Sequence, residues 1–365
     1  MSSVEAGLAL GGTVNSVAAL GFVPVAIHFR LFDILTRFER PAHSEEVLAL
    51  YHKDMKSGDH EPCLALVADT LFAMACLGFI DQVDKLYQAN AITKHLEATP
   101  SALHGALHLT TEVLFASAFL MRKLQADNFK YPFQEKDTPF QYAYQCIGRP
   151  DLANQHTYSI MASEGRMDSF NTFMQGKYIK TSSAPERFAA LGYDLQSVLN
   201  AAGGSVPSTM VDIGGGRGEL LLEIKDAFPQ LQESDLVVQE FNGDIGDIPG
   251  VTLSTWNSKE GNSPQPIKGA LVYHLSHVLH NLSDLESARL LQKVAEAMAP
   301  YSRLLIHEFA KHADLGNLHP LMIVLHAGRE RSQEEWAQLA ALAGLRITFE
   351  AYPKAGEGLI EMRKI

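Results

Sequence analysis

The stretch Thr209-Met210-Val211-Asp212-Ile213-Gly214-Gly215-Gly216-Arg217-Gly218-Glu219-Leu220-Leu221 constrains the fold more than any other part of the chain. A short apolar run ends in an acidic residue and a glycine cluster, and a helical pattern follows at once. That order reads as strand, tight turn, helix. Gly214, Gly216 and Gly218 let the backbone turn sharply and approach a ligand closely. Amide groups at the following helix start face whatever sits in the crevice. In an open α/β sheet, ligands bind in the crevice beyond the strand ends.

The glycines fall on alternate positions, which departs from the dinucleotide pattern, and no lysine follows as a P-loop requires. Glu219 at the helix start would repel a pyrophosphate. A cofactor without phosphates fits better, with an ordinary glycine turn as the bland alternative. The spacing resembles motif I of class I S-adenosylmethionine (SAM) methyltransferases.

Alternating elements follow the loop. Strands are expected at Asp235–Gln239, Val251–Thr255, Gly269–Leu275 and Arg303–Phe309. Ser283 with Glu286, and Ser332 with Glu335, make capping boxes that start two helices. Arg346–Tyr352 and Gly358–Arg363 read as a closing antiparallel pair. The fold class is therefore α/β, with a Rossmann-like doubly wound sheet in the C-terminal half.

Before the loop the pattern is helical. Apolar positions at helical spacing over 14–38, a helix start at Ser44 with Glu45 and Glu46, and an apolar run over 61–77 precede a small hairpin at 79–87. That order predicts a mostly α, winged-helix domain. With 365 residues the chain can hold two domains, expected at 1–180 and 181–365, with a boundary near residue 180 before the Ala201–Ser208 segment. The net charge of −12 and the mixed charges over 44–78 oppose nucleic-acid binding, so dimerisation is the expected role of the first domain. The charge also suits an anionic membrane poorly. Gly11, Gly12, Asn15 and Pro24 interrupt any span over 8–26, and no basic segment precedes it. Cys63, Cys76 and Cys146 show no metal or redox pairing, so buried thiols in the cytosol are expected.

Several residues could carry chemistry. Glu240 ends the second strand, where a carboxylate can accept both hydroxyls of a ribose. The loop Tyr273-His274-Leu275-Ser276-His277-Val278-Leu279-His280-Asn281-Leu282-Ser283-Asp284 follows the fourth strand on the ligand side. A neutral histidine there can take a proton from a hydroxyl. Glu308 at the fifth strand end and Glu330 before the next helix can orient His280. His104 and His108 lie four apart on a helix, but no third ligand or HExxH glutamate accompanies them, so no metal is expected. Met161, Met167, Phe170, Phe173 and Met174 have core spacing, and some could wall an apolar pocket.

Motif I, the VLHNLSD stretch, the strand ending IHEF, the GRERS segment and the DTPFQYAY run occur in the order found in plant and fungal small-molecule O-methyltransferases of the caffeate O-methyltransferase type. The resemblance covers nearly the whole chain. It implies that His280 is the general base, that Glu308 and Glu330 flank it, that Gly214 and Gly216 line SAM with Asp212 and Gly218 in the same loop, and that Glu240 holds the ribose. It implies an intertwined homodimer whose first domain helps close the substrate pocket. The candidate substrate contacts of this chain are His104, His108, Met161, Met167, Phe170, Met174 and Asn281. Departures are specific. His280-Asn281-Leu282 replaces His-Asp-Trp, and Ser276 stands where a basic residue is usual. Ser254-Thr255-Trp256 replaces the pair that reads the adenine, leaving Thr255 and Trp256, with Phe241 after Glu240, as cofactor contacts.

Two enzymatic readings stand. In one, His280 deprotonates a hydroxyl of a small aromatic or polyketide-type metabolite and SAM supplies the methyl group. In the other, as in some fungal relatives, the protein is a pericyclase that binds SAM without consuming it. A non-enzymatic DNA- or protein-binding module is a third, disfavoured by charge and by the His280, Glu308 and Glu330 set.

Overall fold

The N-terminal region is cut into helices, by glycine or proline at most breaks and by a left-handed Arg30 (φ 53) before the third: Ser3–Leu20, Val23–His28, Leu31–Thr36, Ser44–Asp54 and Leu64–Cys76. The computed structural model describes residues 2–178, 182–200, 206, 208–241, 246–309, 311, 318–353 and 356–365. They form two units. One comprises Met1–Phe119 and Tyr158–Ile179, the other Leu120–Thr157 and Lys180–Ile365. Residues 120–157 thus group with the second unit, and the expected boundary near 180 and most of Ala201–Ser208 lie outside the described residues.

The first unit closes over a core that includes Leu31, Ile34, Leu35, Val47, Leu71, Met74 and Ile80. Gly78, at φ 72, ends the fifth helix, and β1 (Asp81–Val83) and β2 (Leu86–Gln88) make the expected antiparallel hairpin. The cap of the Ser44–Asp54 helix is His43 rather than Ser44, because Glu46 reaches back to the His43 amide at 2.9 Å. The three cysteines are free and exposed, not buried. Cys63 is a helix cap and Cys76 faces out from a last turn, so neither lies on the apolar stripe. The helix Ser3–Leu20 has no buried residue, and Val4, Leu8, Leu10, Val14 and Val17 are all exposed.

Further helices span Ala91–Ala98, Pro100–His108 and Leu114–Ala126, with a π-helical turn at Leu109–Val113. Among the described residues, one helical run, Pro100–Ala126, is long and apolar enough to cross a membrane by length and composition alone. In the first unit Pro100–His108 packs against Met167–Tyr178, and a β-carbon on Gly105 would come within 2.8 Å of Phe173. The aromatic run at 137–144 reads as lying before a helix. Instead Thr138 caps it and Pro139 begins it, so Pro139–Cys146 is itself the helix.

The second unit is built on apolar runs buried on both faces, the pattern of parallel strands. These are β3 (Met210–Ile213), β4 (Leu236–Glu240), β6 (Val272–Ser276) and β7 (Arg303–Phe309), joined by the partly exposed edge strand β5 (Thr252–Thr255) and by β8 (Leu345–Ala351) and β9 (Glu357–Lys364). The order is β5-β4-β3-β6-β7-β9-β8. Pairing is parallel through β7, and β9 runs antiparallel to both β7 and β8. The helix Asp284–Ala297 buries Leu290, Leu291 and Val294 on one face of the sheet, with Trp336 and Leu339 of Gln333–Leu342. Both expected capping boxes are present. The chain runs outward from β3 in opposite directions, to β4 and to β6, so the switch point lies at their carboxyl ends.

Candidate active site

The loops after β3 and β6 meet at this switch point. Gly214, Gly216 and Gly218 have φ of 73, 58 and 75, a region that favours glycine. A β-carbon on Gly214 would lie 2.8 Å from Val278, in the histidine loop. One on Gly218 would lie 3.0 Å from Val238 of β4, where helix Glu219–Ala227 meets the sheet. Gly216 differs: the nearest atom to such a carbon is Glu219 Oε2, 3.8 Å away, an ordinary contact, so this glycine is not crowded.

Glu240 faces the same turn. Its Oε1 accepts from the Gly216 amide at 2.6 Å, and Oε2 from the Phe241 amide at 3.3 Å. Burial pushes its pKa above the ordinary value, the two amides pull the other way, and Asp212 adds a further push. Asp212 is buried and bound to His274 Nδ1 at 2.7 Å, so it braces the strand beneath the loop. Phe241 is 63% exposed. Thr255 is exposed at the end of edge strand β5. Trp256 is buried in the core, and its indole nitrogen has no hydrogen-bond partner among the described residues.

His280 lies in a 3₁₀ turn, Leu279–Asn281, directly after β6. Its Nδ1 is 3.0 Å from Glu330 Oε1 and 3.6 Å from Glu308 Oε2. Only the first is a hydrogen bond. Glu308 acts on the backbone, its Oε1 accepting from the amides of Leu279 at 2.9 Å and His280 at 3.3 Å. Asn281 donates from Nδ2 to the His277 carbonyl at 3.1 Å and so ties the loop to itself.

Residues outside the expected set complete this loop. Arg331 is fully buried and donates to the carbonyls of Leu279 at 2.9 Å and Leu282 at 3.0 Å, and to Ser287 Oγ at 3.0 Å. Gly328 lies against the backbone of His280: a β-carbon there would sit 1.9 Å from the His280 carbonyl oxygen. His277 Nε2 is 2.8 Å from Glu357 Oε1, and Glu357 Oε2 is 3.2 Å from His307 Nε2. The local signal for Arg331 was its place in the GRERS segment. Nothing local marks Glu357, which meets His277 only when β9 inserts beside β7.

The first unit gathers its own candidates. His108 is buried, 3.0 Å from Glu112 Oε2, and Glu112 Oε1 takes a 2.9 Å bond from Arg166 Nε. His104 Nδ1 is 2.8 Å from Ser169 Oγ. Each histidine of the four-spaced pair therefore has a separate partner. Phe170 packs edge-on against His108 with ring centres 5.1 Å apart. Met161 is buried, and Met167 and Met174 are half-buried.

Comparison with known proteins resolves the family. Residues 193–346 match the O-methyltransferase domain. The chain is 54% identical to the O-methyltransferase bfoE of Aspergillus brasiliensis, over 99% of this chain and 97% of that one. The chain belongs to the fungal O-methyltransferase family. A second member, O-methyltransferase aunE of Aspergillus niger, is 51% identical over 99% of this chain and 97% of its own length. Two solved structures share the fold of this O-methyltransferase at low identity. OxaC in complex with SAH and oxaline has a TM-score of 0.79 at 19% identity, covering 100% of this chain and 88% of that one. The LepI complex with SAM has 0.77 at 20%, covering 100% and 90%. The cofactor is SAM, and the residues present fit it: a glycine turn uncrowded at Gly216 and a carboxylate, Glu240, at the end of the neighbouring strand.

Proposed function

We propose that this enzyme methylates a hydroxyl of a small aromatic or polyketide-type metabolite, with His280 as general base. The observation that carries this reading is the 3.0 Å bond from His280 Nδ1 to Glu330 in a turn whose amides are held by Glu308. With its Nδ1 proton donated to Glu330, the neutral ring presents Nε2 as the basic atom. Glu330 stabilises the cation that forms when Nε2 takes the hydroxyl proton. Glu308 and Arg331 fix the turn, so the base is in place before substrate arrives. SAM, held by the glycine turn and Glu240, supplies the methyl group.

Asp212, Gly214, Gly216, Gly218, Glu240, Phe241 and Thr255 are assigned to the cofactor side in the same reading. Trp256 is assigned a supporting place beneath it, as its burial requires. Asn281 is a substrate-side residue of the base loop. His104, His108, Met161, Met167, Phe170 and Met174 are assigned to substrate contact. The first unit, with its helices and hairpin, is assigned the winged-helix dimerisation role. The exposed apolar residues of Ser3–Leu20 support a homodimer, since a lone apolar helix gains stability only by being covered.

The deciding experiment incubates pure protein with SAM and polyketide-type phenols and follows masses. Gain of one methyl with release of S-adenosylhomocysteine is the expected result. Conversion at unchanged mass, or with loss of water and no SAM turnover, replaces this reading with the pericyclase one.

A further inference from the structure

The loop that carries His280 holds a second imidazole that methyl transfer does not use. His277 has φ 53, a left-handed conformation uncommon for residues other than glycine. Its side chain is only 7% exposed. Nε2 is engaged by Glu357 at 2.8 Å, while Nδ1 is buried with no hydrogen-bond partner among the described residues. Across from it is Glu308 Oε2, 3.9 Å away, which is also buried and without a hydrogen-bond partner. The same oxygen stands 3.6 Å from His280 Nδ1.

These separations are too long for hydrogen bonds. They suit atoms that share an ion: two ligands about 2.1 Å from a tetrahedral centre stand about 3.4 Å apart. One donor atom from each of His277, His280 and Glu308 gathers within 4.8 Å of the others. We propose that these three side chains bind a divalent cation of the zinc type, and that this cation switches the base off.

The donor set carries the choice of ion. Two imidazoles and one carboxylate, with a fourth position left open, match zinc and its neighbours. Calcium and magnesium require more oxygens than the site offers. The ligands are also held from behind. Glu357 accepts from His277 Nε2–H, which leaves the lone pair on Nδ1, facing Glu308. Glu308 Oε1 is anchored by two backbone amides, which leaves Oε2 facing the imidazoles.

Coordination at His280 Nδ1 displaces the bond to Glu330. A neutral imidazole that gives Nδ1 to a metal keeps its proton on Nε2, and so cannot take one from substrate. Binding rests on the geometry alone; the shut-off rests on the proposal that His280 is the base.

The test uses the full chain, free of any histidine tag and freed of metal by a chelator, titrated with zinc chloride by calorimetry. Bound zinc is counted by mass spectrometry after gel filtration, and methyl transfer is followed at each zinc concentration. One zinc per chain is expected. His277→Asn, chosen because asparagine tolerates the left-handed backbone, should weaken binding at least tenfold and raise the inhibitory zinc concentration by a similar factor. Glu308→Gln should also lose the ion, and SAM binding by both variants checks their folding. Absence of stoichiometric zinc, or equal zinc binding by wild type and both folded variants, overturns the site. Zinc binding that is lost in the variants but never inhibits turnover keeps the site and overturns the role of His280 as base.

Discussion

Glu308 and Glu330 hold His280 in different ways, and the difference is measurable. Glu330 touches the ring, whereas Glu308 touches the amides of the turn that carries it. His280→Gln should lower kcat by about a hundredfold to ten-thousandfold, the usual worth of a positioned base, with SAM affinity unchanged by calorimetry. Glu330→Gln keeps a ring partner but loses the charge that favours the imidazolium, so kcat should fall while KM stays near wild type. Glu240 supplies a pH signature. Its raised pKa means that it takes up a proton at a higher pH than an ordinary glutamate, near 4.3. The charged form is present above that raised value and is lost as the pH falls through it. SAM affinity, measured by titration across acid pH, should therefore weaken before ordinary carboxylates titrate. Glu240→Gln should bind SAM weakly with a flat pH profile over the same range.

The segment 327–331 shows how one loop positions another. Gly328 allows its own backbone to lie against the carbonyl of His280, and Arg331 ties off the carbonyls of Leu279 and Leu282. Gly328→Ala places a methyl where no space exists, so the His280 turn must move. We expect a loss of at least tenfold in kcat/KM and a lower Tm, read by kinetics and by thermal unfolding with and without SAM. Much of this region was legible beforehand. The apolar runs announced β3, β4, β6 and β7, and the Ser283–Glu286 and Ser332–Glu335 pairs announced their helices. The strand ends then placed Glu240, His280 and Glu308 on one edge of the sheet. What remained hidden depends on contacts between distant parts of the chain. His277 and Glu357 are 80 positions apart, and no local pattern pairs them. The close approach at Gly328 is likewise invisible until two loops meet, and Trp256, just past the end of β5, sits in the core beside an exposed Thr255.

At the scale of the molecule, the helix Ser3–Leu20 leaves five large apolar side chains in solvent. The dimer reading predicts that light scattering after gel filtration gives twice the chain mass, and that removing residues 3–20 yields a monomer or an aggregate. A monomeric full-length protein would refute it. Strand β9 is the last of the seven in chain order, yet it lies between β7 and β8. While the nascent chain is still emerging, the far side of β7 has no neighbour, and the unpaired backbone edge from Leu304 to Ile306 waits for Ile360 to Met362. The second unit therefore completes its sheet only after β9 has left the ribosome. Until then it presents the kind of open strand that chaperones shield.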